Sequence, residues 1–181
     1  MERNRMIFKE ETLSSEYAYK GRILNVRKDK VTVINGTSDR EIIEHIGGAA
    51  CAAVTDDGKI ALVKQFRKPF EDVILEVPAG KFNTPDEDPL EAMKRELREE
   101  TGYTADEWTF LTRVKPSVGY TTEELYVYLA RGLTPGETDF DDNEAIDEVL
   151  MDFDEAYDMA CRGEITDAKT LIAILLAKVH L

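Results

Sequence analysis

The chain has 181 residues, 43% of them hydrophobic and 33% charged, which is enough for one domain with a full core. Its net charge of −14, with no long stripe of Lys or Arg, excludes nucleic-acid binding through a broad basic surface. No run of about 18 apolar residues is present, and the opening Met1 Glu Arg Asn Arg Met Ile Phe Lys Glu lacks a secretory h-region, so the expectation is a cytoplasmic protein without membrane contact.

Strands come first in chain order. Tyr17 to Gly21, Ile23 to Val33 with alternating polarity, an Asn35 Gly36 hairpin turn and Arg40 to His45 form an N-terminal β region. Ala49 to Val54 and Ile60 to Phe66 make a second hairpin around Asp56 Asp57 Gly58. The apolar strand Val73 Ile74 Leu75 Glu76 Val77 then runs into Pro78 Ala79 Gly80, which reads as a sharp turn whose backbone is free to approach a ligand.

The next segment has the grammar of a helix. Asp88 suits the N-cap, Pro89 the first helical position, and Glu91 completes a capping box, while Gly102 stops the helix. At about 100° per residue, Leu90, Met93 and Leu97 form one apolar stripe, bordered by Glu96 and Glu100, with Glu99 a little further round. Three carboxylates at spacings of three and four repel one another unless a cation is supplied. A divalent metal site is one reading. A charged face laced with pairs such as Glu91 with Arg95 and Arg95 with Glu99 is the other, and Arg95 can orient or partly neutralise a carboxylate in either.

After this helix, Trp108 to Val114, Leu125 to Ala130 and Ala145 to Met151 read as strands, and Phe153 to Cys161, closed by Gly163, as a helix. The last helix, Ala168 to Val179, carries Leu171, Ile172, Leu175, Leu176 and Val179 at helical spacing, a stripe expected to pack on the core. The fold class that follows is α/β of the α+β type, a mixed β-sheet flanked by helices and preceded by a small N-terminal antiparallel β region. Cys51 and Cys161 show no metal or redox spacing and read as buried free thiols, and His45 and His180 read as structural.

At the acidic helix the chain resembles the Nudix hydrolases. Gly80, Glu87, Arg95, Glu96, Leu97, Glu99, Glu100 and Gly102 match that signature by type, with Tyr103 last and one extra residue between Gly80 and Glu87. Arg40 to His45, Lys64 Gln65 Phe66 Arg67, Leu75 to Gly80, Ser117 to Glu123, Asp141 Asp142 Asn143 Glu144 and Gly163 to Thr170 are similar to the ADP-ribose pyrophosphatase branch, with Val118 where that branch usually has Pro.

The resemblance implies the Nudix fold, with residues 1–45 as the N-terminal β region that makes a homodimer and 46–181 as the hydrolase domain. It implies metal-dependent cleavage of the pyrophosphate bond in a nucleoside-diphosphate sugar, ADP-ribose to AMP and ribose 5-phosphate first of all. Other nucleotide sugars, dinucleotides or nucleoside triphosphates stay open, as does a non-catalytic nucleotide-binding module. The metal ligands assigned are Glu96 and Glu100, with Glu99 as an additional ligand or partner and the Ala79 carbonyl as a backbone ligand. The ion expected is Mg²⁺, with Mn²⁺ as its substitute, because both suit oxygen donors. A general base is expected from the acidic loop, Glu144 first and Asp142 second, since metal-bound glutamates lose basicity. Arg67, Arg40, Glu123, Ser117 and Gly119 form the substrate side.

Overall fold

The computed structural model describes residues 7–139 and 145–181. Among the described residues, ten strands and three helices divide into two units.

The first unit comprises the described residues up to Ile46 together with Ser117–Glu123. Strands β1 (Thr12–Lys20), β2 (Asn25–Val33) and β3 (Gly36–Glu44) form an antiparallel sheet in that order. β2 and β3 pair without slippage from Asn25↔Glu44 to Val33↔Gly36, as the Asn35 Gly36 turn favours. Ser117–Glu123 joins this unit through backbone hydrogen bonds, from the Ile43 amide to the Tyr120 carbonyl at 2.7 Å and from the Thr122 amide to the Ile43 carbonyl at 2.9 Å. β1 is exposed along all nine residues.

The second unit, Gly47–Pro116 with Glu124–Leu181, is built on a mixed sheet. Its strands are β4 (Gly48–Val54), β5 (Lys59–Arg67), β6 (Asp72–Glu76), β7 (Ala79–Lys81), β8 (Thr104–Val114), β9 (Leu125–Thr134) and β10 (Ile146–Asp152). The main order is β10-β5-β4-β9-β8; β6 pairs with β5, β7 pairs with β4, and β4 with β9 is the parallel pair. β4 is buried at every residue, as a central strand covered on both faces must be. Ala50, Ala52 and Val54 join the cluster formed with helices α2 (Phe153–Arg162) and α3 (Ala168–Ala177). Cys51, between them, turns to the opposite face, where it senses Glu100 of helix α1 (Pro89–Thr101).

α1 forms where the capping signals place it. The Asp88 carboxylate accepts from the Leu90 and Glu91 amides, Pro89 opens the helix, and Gly102 closes it at φ 71°, a left-handed conformation that favours glycine. Met93 and Leu97 are fully buried, each contributing about 1.5–3 kcal/mol of apolar burial. Glu91 turns to Lys94 at 2.7 Å, so its carboxylate serves an ion pair on the helix surface.

Three expectations are corrected. Pro78 Ala79 Gly80 is not a free turn, because Ala79–Lys81 is a short strand held on β4 by Ala49↔Gly80 and its neighbours. α3 ends at Ala177 and buries Thr170, Ala173, Ile174 and Ala177, leaving Leu175 and Val179 exposed. Small side chains let this helix approach the sheet closely, and a helix apolar nearly all round carries little directional information. Finally, Cys51 is buried but Cys161 is exposed.

Candidate active site

Helix α1 and strand β7 bring the acidic residues together with the backbone at Ala79 and Gly80. Glu100 is buried, and its carboxylate accepts the Ala79 amide at 2.9 Å. The N–H and C=O of one extended residue project to the same edge, so the Ala79 carbonyl also faces the Glu100 side, away from β4. The Pro78 carbonyl, one residue earlier, accepts the Cys51 amide of β4 at 3.0 Å and fixes this alternation.

Gly80 matters for space. A Cβ there would overlap the carboxylate carbon and both oxygens of Glu96, so only glycine lets that side chain lie across the strand. Arg95 gathers the remaining acids. Its guanidinium donates to Glu96 at 2.7 Å, Glu99 at 3.1 Å, Glu87 at 3.3 Å and the Lys81 carbonyl at 3.4 Å. Burial works against its charge, but Glu96, Glu87 and Glu99 outweigh burial and raise its pKa.

The donors suit a hard divalent cation: carboxylate oxygens from Glu96, Glu99 and Glu100 and one backbone carbonyl, with Gly80 leaving room beside them. Among the described residues, no three acidic, histidine or cysteine side chains already converge at metal-holding distance. Arg95 pairs with both Glu96 and Glu99, which ties two of these carboxylates to one guanidinium.

A second centre lies at the end of β6. The Arg67 Nε and Nη2 donate to the two oxygens of Glu76 at 2.6 and 2.8 Å, a bidentate pair. Glu76 is only 2% exposed. Burial pushes its pKa up, but Arg67 and Lys169 outweigh this and hold it below the ordinary carboxylate value. Arg67 is therefore held rigidly by Glu76, while its side chain stays 41% exposed.

The other substrate-side candidates fall in the first unit. Arg40 pairs with Glu10 and donates to Ser38 at 3.0 Å. Ser117, Gly119 and Glu123 lie on the segment bonded to β3, where Glu123 approaches His45 Nδ1 at 3.6 Å. A side chain at Gly119 would meet nothing within 4 Å, so this unit by itself does not require glycine there. Asp142 and Glu144 lie outside the described residues. Their flanks are described: the Asp139 amide donates to the Glu99 carbonyl at 3.0 Å, and Ile146 pairs with Gln65, two residues before Arg67.

Asp167, Lys169 and Thr170 were legible only as part of a longer motif, yet Lys169 bonds Glu76 and Thr170 bonds the Val77 amide. Both partners lie 93 residues away, and no local spacing signals such a contact.

A family model for the Nudix domain matches residues 45–173. This chain belongs to the Nudix family. A second model, for the nucleoside diphosphate sugar hydrolase N-terminal domain, matches residues 10–43 of this Nudix hydrolase. The chain is 40% identical to an ADP-ribose pyrophosphatase of Bacillus subtilis, over 91% of this chain and 90% of that one. It is 39% identical to a methanol dehydrogenase activator of Bacillus methanolicus, over 93% and 92%. A GDP-mannose pyrophosphatase of Yersinia enterocolitica is 31% identical, over 81% and 82%. The crystal structure of an ADP compounds hydrolase shares the fold at a TM-score of 0.84, covering 98% of this chain and 96% of that one at 23% identity. No helix among the described residues is long and apolar enough to cross a membrane.

Proposed function

We propose that this Nudix hydrolase cleaves the pyrophosphate bond of a nucleoside-diphosphate sugar, with ADP-ribose as the first substrate and AMP and ribose 5-phosphate as products. The observation that carries the reading is the packing of Glu96 over Gly80 together with the bond from the Ala79 amide to Glu100, which brings two acids of α1 onto the same short strand. The relatives named for ADP-ribose and GDP-mannose support the substrate class. Similarity to a methanol dehydrogenase activator at almost the same identity leaves the choice of substrate to experiment.

Glu96 and Glu100 would hold Mg²⁺, or Mn²⁺ in its place, with Glu99 and the Ala79 carbonyl completing the protein ligands. Bound there, the ion would neutralise phosphate charge and supply Lewis-acid assistance to the attack of water. Arg95 orients Glu96 and Glu99. Arg67 presents a guanidinium fixed by Glu76, whose remaining edge is suited to a phosphate oxygen. Glu144, with Asp142 as the second choice, takes a proton from the attacking water as its oxygen bonds to one phosphorus and the bridging oxygen leaves with the other phosphoryl group. The tether between Asp139 and Glu99 supports this choice, because it starts the acidic loop at the catalytic helix. Arg40, Glu123, Ser117 and Gly119 belong to substrate recognition.

We further propose a cytoplasmic homodimer in which residues 1–45 form the dimerisation element and 46–181 the hydrolase domain. The edge strand β1, exposed at all nine residues and carrying Leu13, Tyr17 and Tyr19, supports a sheet edge that a second copy covers. Sedimentation of the full chain and of a variant with charged residues at Leu13 and Tyr19 tests the dimer.

Substrate choice is tested by incubation with Mg²⁺ and a panel of ADP-ribose, GDP-mannose, dinucleotides and nucleoside triphosphates, with the products identified. AMP with ribose 5-phosphate is expected. Preferred turnover of another compound moves the substrate, and no turnover of any sinks the catalytic reading.

A further inference from the structure

The first turn of α3 makes two bonds to the chain just before the catalytic strand β7. Lys169 Nζ bonds the Glu76 carboxylate that holds Arg67, and the Thr170 hydroxyl accepts the Val77 amide at 2.8 Å. One oxygen of Asp167 organises both, accepting from Lys169 Nζ at 3.0 Å, from the Thr170 amide at 2.9 Å and from its hydroxyl at 2.6 Å. Thr170 is fully buried, and the Lys169 side chain is only 13% exposed. The three residues thus form one rigid clamp on Glu76 and Val77.

The energetics explain why Glu76 needs a second cation. A carboxylate this buried loses its hydration, an effective penalty of several kcal/mol, and a single half-exposed arginine at a strand end recovers only part of it. With Lys169 on one side and Arg67 on the other, the carboxylate stays ionised and its two oxygens stay aligned with the Arg67 fork. Arg67 donates through Nε and Nη2, so the direction of its Nη1 edge follows from where Glu76 is held.

We infer that Lys169 is a positioning residue for the reaction, fixing Glu76 so that Arg67 is presented to a substrate phosphate in one orientation. The inference rests on the reading of Arg67 as a substrate contact. Thr170 acts alongside it by anchoring Val77, two residues before the Ala79 backbone. Lys169 itself touches no reacting atom.

A purely structural role would lower stability and leave kinetic constants alone. A positioning role changes substrate affinity through Arg67. The test is a kinetic cycle on the full-length enzyme with ADP-ribose, or with whichever compound the panel identifies, using Lys169→Met, Arg67→Gln and the double variant. Lys169→Met is expected to raise KM about tenfold with kcat within about twofold, the pattern of lost binding common to ground and transition states. In the Arg67→Gln background it should add less than about twofold, and Lys169→Arg should restore most of the loss. If Lys169→Met does not fold, Lys169→Gln, which keeps a polar side chain but removes the cation beside Glu76, takes its place in the cycle with the same expectations.

A normal KM for folded Lys169→Met beside a raised KM for Arg67→Gln overturns the inference and leaves Arg67 in its role. Fully additive effects also overturn it, because Lys169 would then act independently of Arg67. A normal KM for Arg67→Gln removes the role of Arg67 and the inference with it.

Discussion

Gly80→Ala separates damage to the site from damage to the fold. The added methyl would coincide with the Glu96 carboxylate, while β7 is pinned to β4 by the Ala49↔Gly80 pair. The side chain, held by rotatable bonds, yields before the paired strand does. Gly80 is not among the residues with positive φ, so alanine meets no backbone strain there. Overpacking costs about 1–3 kcal/mol, partly offset by the roughly 0.4–1 kcal/mol gained when Gly→Ala restricts the unfolded chain. The net loss is at most ~2.5 kcal/mol, or about 5–10 °C in Tm for a chain of this size. Activity should fall much further, by roughly 100-fold or more, because misplacing a catalytic group by about 1 Å costs that much. Paired measurements of kcat/KM and thermal unfolding read both effects. In a Glu96→Ala background the overlap disappears, so Gly80→Ala should become neutral or slightly stabilising. Activity within threefold of the parent in Gly80→Ala would refute the claim that Glu96 acts from its place over Gly80.

Four other outcomes follow from the same geometry. The folded pKa of Glu76 lies below its ordinary value of 4.5, so its stabilisation is complete above that pH and lost as the pH falls through the lower folded value. Glu76→Gln should therefore destabilise at pH 7 and converge with the parent in strong acid; urea midpoints across pH check this, and a constant difference would contradict it. Chelation with EDTA should abolish turnover and Mg²⁺ restore it with little change in far-UV circular dichroism, because α1 is held by its cap and core contacts. Under native conditions a thiol reagent should modify Cys161 alone, whereas Cys51, whose burial pushes its thiol pKa up, should react only after unfolding. Glu144→Gln should lower kcat by 10²- to 10⁴-fold without moving the unfolding midpoint, and near-normal turnover would assign the base to another residue.

How much was legible in the sequence depended on range. The cap at Asp88, the stop at Gly102 and the stripe of Met93 and Leu97 are written within one helix, where the fixed rise and turn translate spacing into direction. The carboxylate spacing and the signature were legible for the same reason. α3 was not, since a helix apolar on nearly every side has no contrast from which to read a buried face, and close packing favoured Ala173 and Ala177 over larger neighbours.

By itself the sequence determined the order of the helices and of every strand but β7, the acidic face of α1 and membership of a metal-dependent hydrolase family, all properties carried by local pattern. Only the tertiary structure decided that Gly80 makes room for Glu96, that Ala79 is paired to Glu100, and that Lys169 and Arg67 share the buried Glu76. These contacts join segments far apart in the chain, and their geometry depends on sheet register and helix packing that no single segment specifies.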